Sequence, residues 1–135
     1  MEISLGEGML SGTIPSSFEE FKALEIFDVN SNCLSGPIPN LSRIPSIRRL
    51  SLENNLRLWG SLNGFCDHSE YNNPQIDFIR STCGGCSGKE KSALIECDCC
   101  TCCNEEDLTC CDSQGVSSTT SQYGYSYSSP FECPA

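Results

Sequence analysis

Basic residues are scarce in this chain of 135 residues. Eight Lys and Arg stand against eighteen Asp and Glu, a net charge of −10 at pH 7. That balance argues against nucleic acid and anionic membrane surfaces as partners. Histidine occurs once, at position 68. His68 sits in the polar stretch Asp67-His68-Ser69-Glu70, with no second ligand at a fixed spacing, so it reads as a surface residue. No apolar run is long enough to cross a bilayer. There is no Walker loop, no nucleophile beside a paired base, and no pair of carboxylates at a defined spacing. Without such a constellation the chain is expected not to be an enzyme and to need no cofactor or metal.

What the sequence does have is internal repetition. Leu10-Ser11-Gly12-Thr13-Ile14-Pro15 returns as Leu34-Ser35-Gly36-Pro37-Ile38-Pro39, an offset of 24 residues. Ile3 and Leu5 map onto Phe27 and Val29 at the same offset. A third copy follows with one slip: Ile47, Leu50, Leu52 and Asn55 come 23 residues after Leu24, Phe27, Val29 and Asn32. A period of this size marks a repeat architecture in which each unit buries half a core and must stack on its neighbours.

One unit can be read from its residues. Phe27 and Val29 are two apart and so point to one face of a short strand, with Leu24 on the approach. Asn32 falls where the chain must leave the strand, and a buried Asn there can satisfy otherwise orphaned backbone groups. Asn55 holds the same place in the next unit, and together they predict an Asn ladder. Gly36 permits a tight bend, and Pro39 fixes φ and prevents a long helix. Asp28, Asn30, Arg48, Arg49, Ser51 and Glu53 fall on or beside the outward positions of these strands and are the candidate partner-binding residues.

The pattern Leu-x-x-Leu-x-Leu-x-x-Asn-x-Leu-Ser-Gly-x-Ile-Pro over residues 1–64 resembles the plant-type leucine-rich repeat family. The first copy departs from it, with Gly8 where Asn32 and Asn55 stand later. The resemblance implies an α/β-type solenoid, a short right-handed superhelix of parallel strands with irregular or 3-10 returns. Its strand-lined concave face would bind a protein, peptide or glycan. About two and a half coils would occupy residues 1–64.

Twelve cysteines are about 9% of the chain, a share typical of secreted disulfide scaffolds. Ile76 to Cys83 reads as a last strand, and Cys66 and Cys83 flank it and the preceding insertion as an expected staple. Cys66, Cys83, Cys97, Cys99, Cys100 and Cys103 resemble the Cys-rich C-terminal caps of secreted algal repeat proteins of the same family. With Cys86 and Cys102 they would form a disulfide cap over residues 65–111. Neighbouring Cys99 and Cys100 should reach different partners, but connectivity cannot be read from sequence. The competing chemistry is metal. Cys83-x-x-Cys86 and Cys100-x-x-Cys103 have zinc-knuckle spacing, which would make this a Cys-rich zinc-binding protein with a vestigial repeat region.

Asn40-Leu41-Ser42 is an N-glycosylation sequon. Residues 112–135 are a low-complexity tail of Ser, Thr, Gln, Gly and Tyr, expected to be disordered. Cys133 near its end could pair upstream or with another chain. The N-terminus enters directly at a strand position, with no basic or apolar leader and no cap over Ile3, Leu5 and Leu10. The expectation is the C-terminal fragment of a longer extracellular or cell-surface protein, or a short form that self-associates through its open end.

Overall fold

The computed structural model describes residues 1–66, 76–84, 94–104, 109–112, 116–119 and 133. His68, Cys86, most of the insertion and most of the Tyr/Ser tail lie outside the described residues. Eleven short strands follow in order: β1 (Glu2–Ser4), β2 (Ser11–Thr13), β3 (Ile26–Asp28), β4 (Cys33–Pro37), β5 (Arg49–Ser51), β6 (Arg57–Ser61), β7 (Phe78–Ser81), β8 (Ile95–Glu96), β9 (Thr101–Cys103), β10 (Thr109–Cys111) and β11 (Ser117–Thr119). Three single-turn 3-10 helices, Ser16–Glu20, Leu41–Arg43 and Asn63–Phe65, are the helices among the described residues. The strands form two sheets. One is seven-stranded in the order β1-β3-β5-β7-β9-β10-β11, the other four-stranded in the order β2-β4-β6-β8.

Alternation places Ile3, Phe27, Leu50 and Ile79 on the inner face of the first sheet. Leu34, Leu58 and Ile95 come from the second, and together with Leu24, Leu41, Ile44, Ile47 and Leu52 they make one core. The edge of Phe18 packs on the ring of Phe27, with centroids 5.4 Å apart. Prolines and glycines keep the segments between the sheets from becoming α-helix. Pro15 precedes the first 3-10 turn with an extended backbone. Gly36 takes φ +84°, where an added Cβ would also lie 2.9 Å from Thr13 Cγ2.

The Asn side chains tie successive units together. Asn32 is fully buried. Its Nδ2 donates to the carbonyls of Leu5 and Val29 at 2.8 and 2.9 Å, and its Oδ1 accepts from the N–H groups of Gly8 and Leu10 at 3.0 and 2.8 Å. One unit on, Asn55 Nδ2 donates to Val29 and Leu52 at 2.9 and 3.1 Å, and Oδ1 accepts from Leu34 N–H at 3.1 Å. Both serve a turn whose preceding residue is left-handed, Ser31 at φ 56° and Asn54 at φ 60°. Gly8 in the first unit supplies a backbone donor to Asn32 in place of a third Asn.

The α/β-type leucine-rich repeat solenoid expected from the sequence is not what the chain forms. A superhelix needs successive units related by one repeated step. In the first sheet the step is Phe27↔Leu50 and then Leu50↔Ile79; in the second it is Gly36↔Leu58 and then Gly60↔Ile95. The offsets therefore change along each sheet and differ between sheets. The return segments are not irregular but pair as a second sheet, because Ser, Thr and Gly-Pro stretches are extended and their N–H and C=O groups must find partners. At the far end β9, β10 and β11 turn antiparallel. The result is a small disulfide-rich domain of two sheets.

The tail needs a second correction. Ser117–Thr119, expected to be disordered, form β11 against β10. The β9–β10 hairpin leaves an open strand edge, and a Ser/Thr stretch can fill it with backbone hydrogen bonds alone.

Candidate functional site

The outward face of the first sheet gathers most of the candidate partner-binding residues. Asp28 on β3 accepts from the N–H and Nδ2 of Asn30 at 3.1 and 2.6 Å, which fixes the turn after the strand. Ser51 on β5 is the register partner of Asp28, and both are half-buried. Arg48 is exposed and paired through Nε with Asp77 at 3.3 Å. Arg49 is exposed, has no acidic partner among the described residues, and lies over the ring of Phe78 at 5.5 Å. Arg80 lies over the same ring at 4.8 Å. Phe78 is thus flanked by two guanidinium groups in a cation–π arrangement.

Glu53 behaves differently from the rest. It reads as a surface position, but the structure buries it. Its side chain is 5% exposed and that of Arg80 6%, with Arg80 Nη1 3.8 Å from Glu53 Oε1. Glu53 Oε2 and Arg80 Nε are buried without a hydrogen-bond partner among the described residues. Desolvation dominates, and burial pushes the Glu53 carboxyl from 4.5 up to about 7, against the opposing pull of a backbone hydrogen bond and the Arg80 charge. The negative charge of Asp28 adds to the rise. Phe78, Asp77 and Arg80 were not among the residues singled out for this face. The signal for two of them was present: with Ile79 inward, alternation turns Phe78 and Arg80 outward.

A pH prediction follows from Glu53. Its folded pKa lies above the unfolded one, so the native state holds the proton more tightly. Its contribution to stability is full below the unfolded value of 4.5 and is lost as pH rises through about 7. Urea unfolding of wild type and Glu53→Gln at pH 5 and pH 8 isolates the residue. The wild type should lose about 2 kcal/mol more than the variant between the two pH values. Parallel curves for the two proteins would show that Glu53 does not titrate in this range.

The cysteines form a second constellation. Cys66 bonds Cys99, Cys83 bonds Cys102, Cys97 bonds Cys100, Cys103 bonds Cys110, and Cys33 bonds Cys133. No described cysteine is free. Cys99 and Cys100 reach different partners. The staple expected of Cys66 and Cys83 from their flanking positions is not a bond between the two. Cys66 follows the 3-10 helix after β6 and meets Cys99 between β8 and β9, while Cys83, two residues past β7, meets Cys102 on β9, the strand that pairs with β7. Cys86 lies outside the described residues. Cys33 and Cys110 were not assigned to the cap, because nothing local in the sequence distinguishes them from core positions.

Comparison with protein-family models, curated proteins and solved structures returned no match. Function is therefore argued from the site itself. Asn40 is exposed on the return after β4, its Oδ1 accepting from Ser42 Oγ at 2.6 Å. No helix among the described residues is long and apolar enough to cross a membrane. Disulfide bonds at this density are consistent with an extracellular protein.

Proposed function

We propose that this domain is a non-catalytic recognition module that binds a protein, peptide or glycan on the outward face of its seven-stranded sheet. The observation that carries this reading is the Arg49–Phe78–Arg80 stack, with Glu53 buried beneath it. Aromatic and arginine side chains that are already held in place lose little entropy on binding and dominate interface energetics. Arg49, with no acidic partner among the described residues, adds a cation to a strongly acidic molecule, so the face favours a ligand bearing carboxylate or other acidic groups. Abundant disulfides and the exposed Asn40 sequon support an extracellular or cell-surface setting.

The test is an array of peptides and glycans probed with the purified chain and two variants. Phe78→Ala combined with Arg49→Glu should weaken every specific signal by about tenfold or more. Trp59→Ala, an exposed aromatic on the second sheet, should leave the signals intact. Signals that survive the first variant, or fall equally in both, would overturn the assignment of this face.

A further inference from the structure

Two disulfides meet where the 3-10 helix Asn63–Phe65 abuts the residues after β8. Cys66–Cys99 and Cys97–Cys100 are separate bridges, yet Cys66 Sγ lies only 3.9 Å from Cys97 Sγ. The sulfurs of Cys66, Cys97 and Cys99 all fall within 4.8 Å of one another. Tetrahedral zinc with Zn–S bonds of about 2.3 Å needs thiolate sulfurs about 3.8 Å apart. The fourth sulfur, of Cys100, is attached to this group through its bond to Cys97.

Hydrogen bonds, and not only the bridges, hold the two chain segments in place. β6 pairs with β8 through Gly60↔Ile95 and Ser61↔Glu96. The N–H of Leu62 donates to the Glu96 carbonyl at 2.8 Å. Asn63 Oδ1 accepts from Asp98 N–H, and Asn63 Nδ2 donates to Glu96 Oε1, each at 2.7 Å. Opening the bridges therefore leaves the thiols gathered. Access exists too: an open groove of about 670 Å³, lined by Trp59, Leu94, Cys97 and Asp98 among others, runs alongside.

We propose that Cys66, Cys97, Cys99 and Cys100 form a redox-gated site for a thiophilic divalent cation, zinc in particular. In the oxidised chain the four sulfurs are two disulfides and hold no metal. Each disulfide takes two electrons and two protons from one dithiol, which closes to its own disulfide. The four thiols then bind one zinc ion and release four protons. Soft thiolate ligands select zinc over hard cations. These are not the zinc-knuckle pairs suggested by spacing, since the gathered sulfurs include neither Cys83 nor Cys103. None of the four lies on the Arg49–Phe78 face, so this site and the recognition reading stand or fall separately.

The experiment uses the full purified chain, oxidised and after treatment with dithiothreitol followed by anaerobic desalting. Cobalt(II) titration should give thiolate charge-transfer and tetrahedral bands for one ion in the reduced chain and none in the oxidised chain. Zinc(II) should displace the cobalt. Cys97→Ser combined with Cys99→Ser should lose the signal, while Cys103→Ser combined with Cys110→Ser should keep it. Thiol footprinting of the reduced wild type covers the case of a variant that does not fold. Zinc should shield Cys66, Cys97, Cys99 and Cys100 from alkylation and leave Cys83, Cys102, Cys103 and Cys110 labelled. No cobalt spectrum, or shielding centred on the second group, would overturn the proposal.

Discussion

Asn55→Ala should destabilise the domain by about 3–5 kcal/mol, well beyond the worth of one hydrogen bond. The substitution strands the N–H of Leu34 and the carbonyl of Leu52 and takes from the carbonyl of Val29 one of its two donors, all contributed by buried residues. Each loses a partner that water cannot easily replace, and an unsatisfied buried polar group costs about 1–3 kcal/mol. Asn32→Ala removes a similar set of bonds, but Leu5, Gly8 and Leu10 on its far side are exposed. Water can hydrate those groups, so its cost should be only about 1–2 kcal/mol. Urea midpoints of the two variants, with m-values checked for equality, provide the comparison. An Asn32 variant as damaged as the Asn55 variant would mean that burial of the partners is not what sets the cost.

Removing the Cys33–Cys133 bridge, with both residues changed to Ser, is expected to cost about 4 kcal/mol. The bond closes a sequence separation of 100 residues. Cys66–Cys99 already shortens the path, leaving a loop of roughly 70 residues in the unfolded chain, and chain-entropy scaling gives about 4 kcal/mol for closure on that scale. The logarithm makes the estimate insensitive to the shortcuts. Thermal unfolding under non-reducing conditions should show a drop of well over ten degrees for a domain of this size (about 4–8 °C per kcal/mol at 60–100 residues). A drop of one or two degrees would place the stabilisation in the core and not in this cross-link. The paired replacement matters, because a single Ser would leave a free thiol to exchange with the four sulfurs clustered at Cys66.

The repeat made half of this molecule readable. Phe27, Leu50 and the two Asn residues fall at one spacing, and the spacing became the register of the first sheet. The other half was hidden for identifiable reasons. Ser11-Gly12-Thr13 and Cys33 to Pro37 have turn chemistry, and nothing local shows that they pair with each other at a different offset. Non-local pairing carries no periodic signature in a single chain. Glu53 sits among polar neighbours and reads as solvated, since Arg80, which shares its buried site, lies beyond an insertion that breaks the repeat. The disulfide partners are equally opaque: Cys99 and Cys100 are adjacent in sequence, and only the pairing of β8 with β6 and of β9 with β7 decides which sulfur each one meets.

The bond between Cys33 and Cys133 closes residues 33–133 of the polypeptide into a covalent ring. A protease that cuts once anywhere inside the ring opens it but releases nothing, because both new ends stay tethered. The Asn55 turn, the Arg49–Phe78 face and every sulfur of the Cys66 cluster lie within that closed contour. Outside it lie the last two residues of the sequence and the first 32, which carry β1, β2 and β3 and with them one edge of the first sheet. In a protease-rich milieu the molecule is therefore armoured unequally. A nick in the N-terminal arm sheds the strands that border the core, while a nick elsewhere leaves a two-ended but undivided domain.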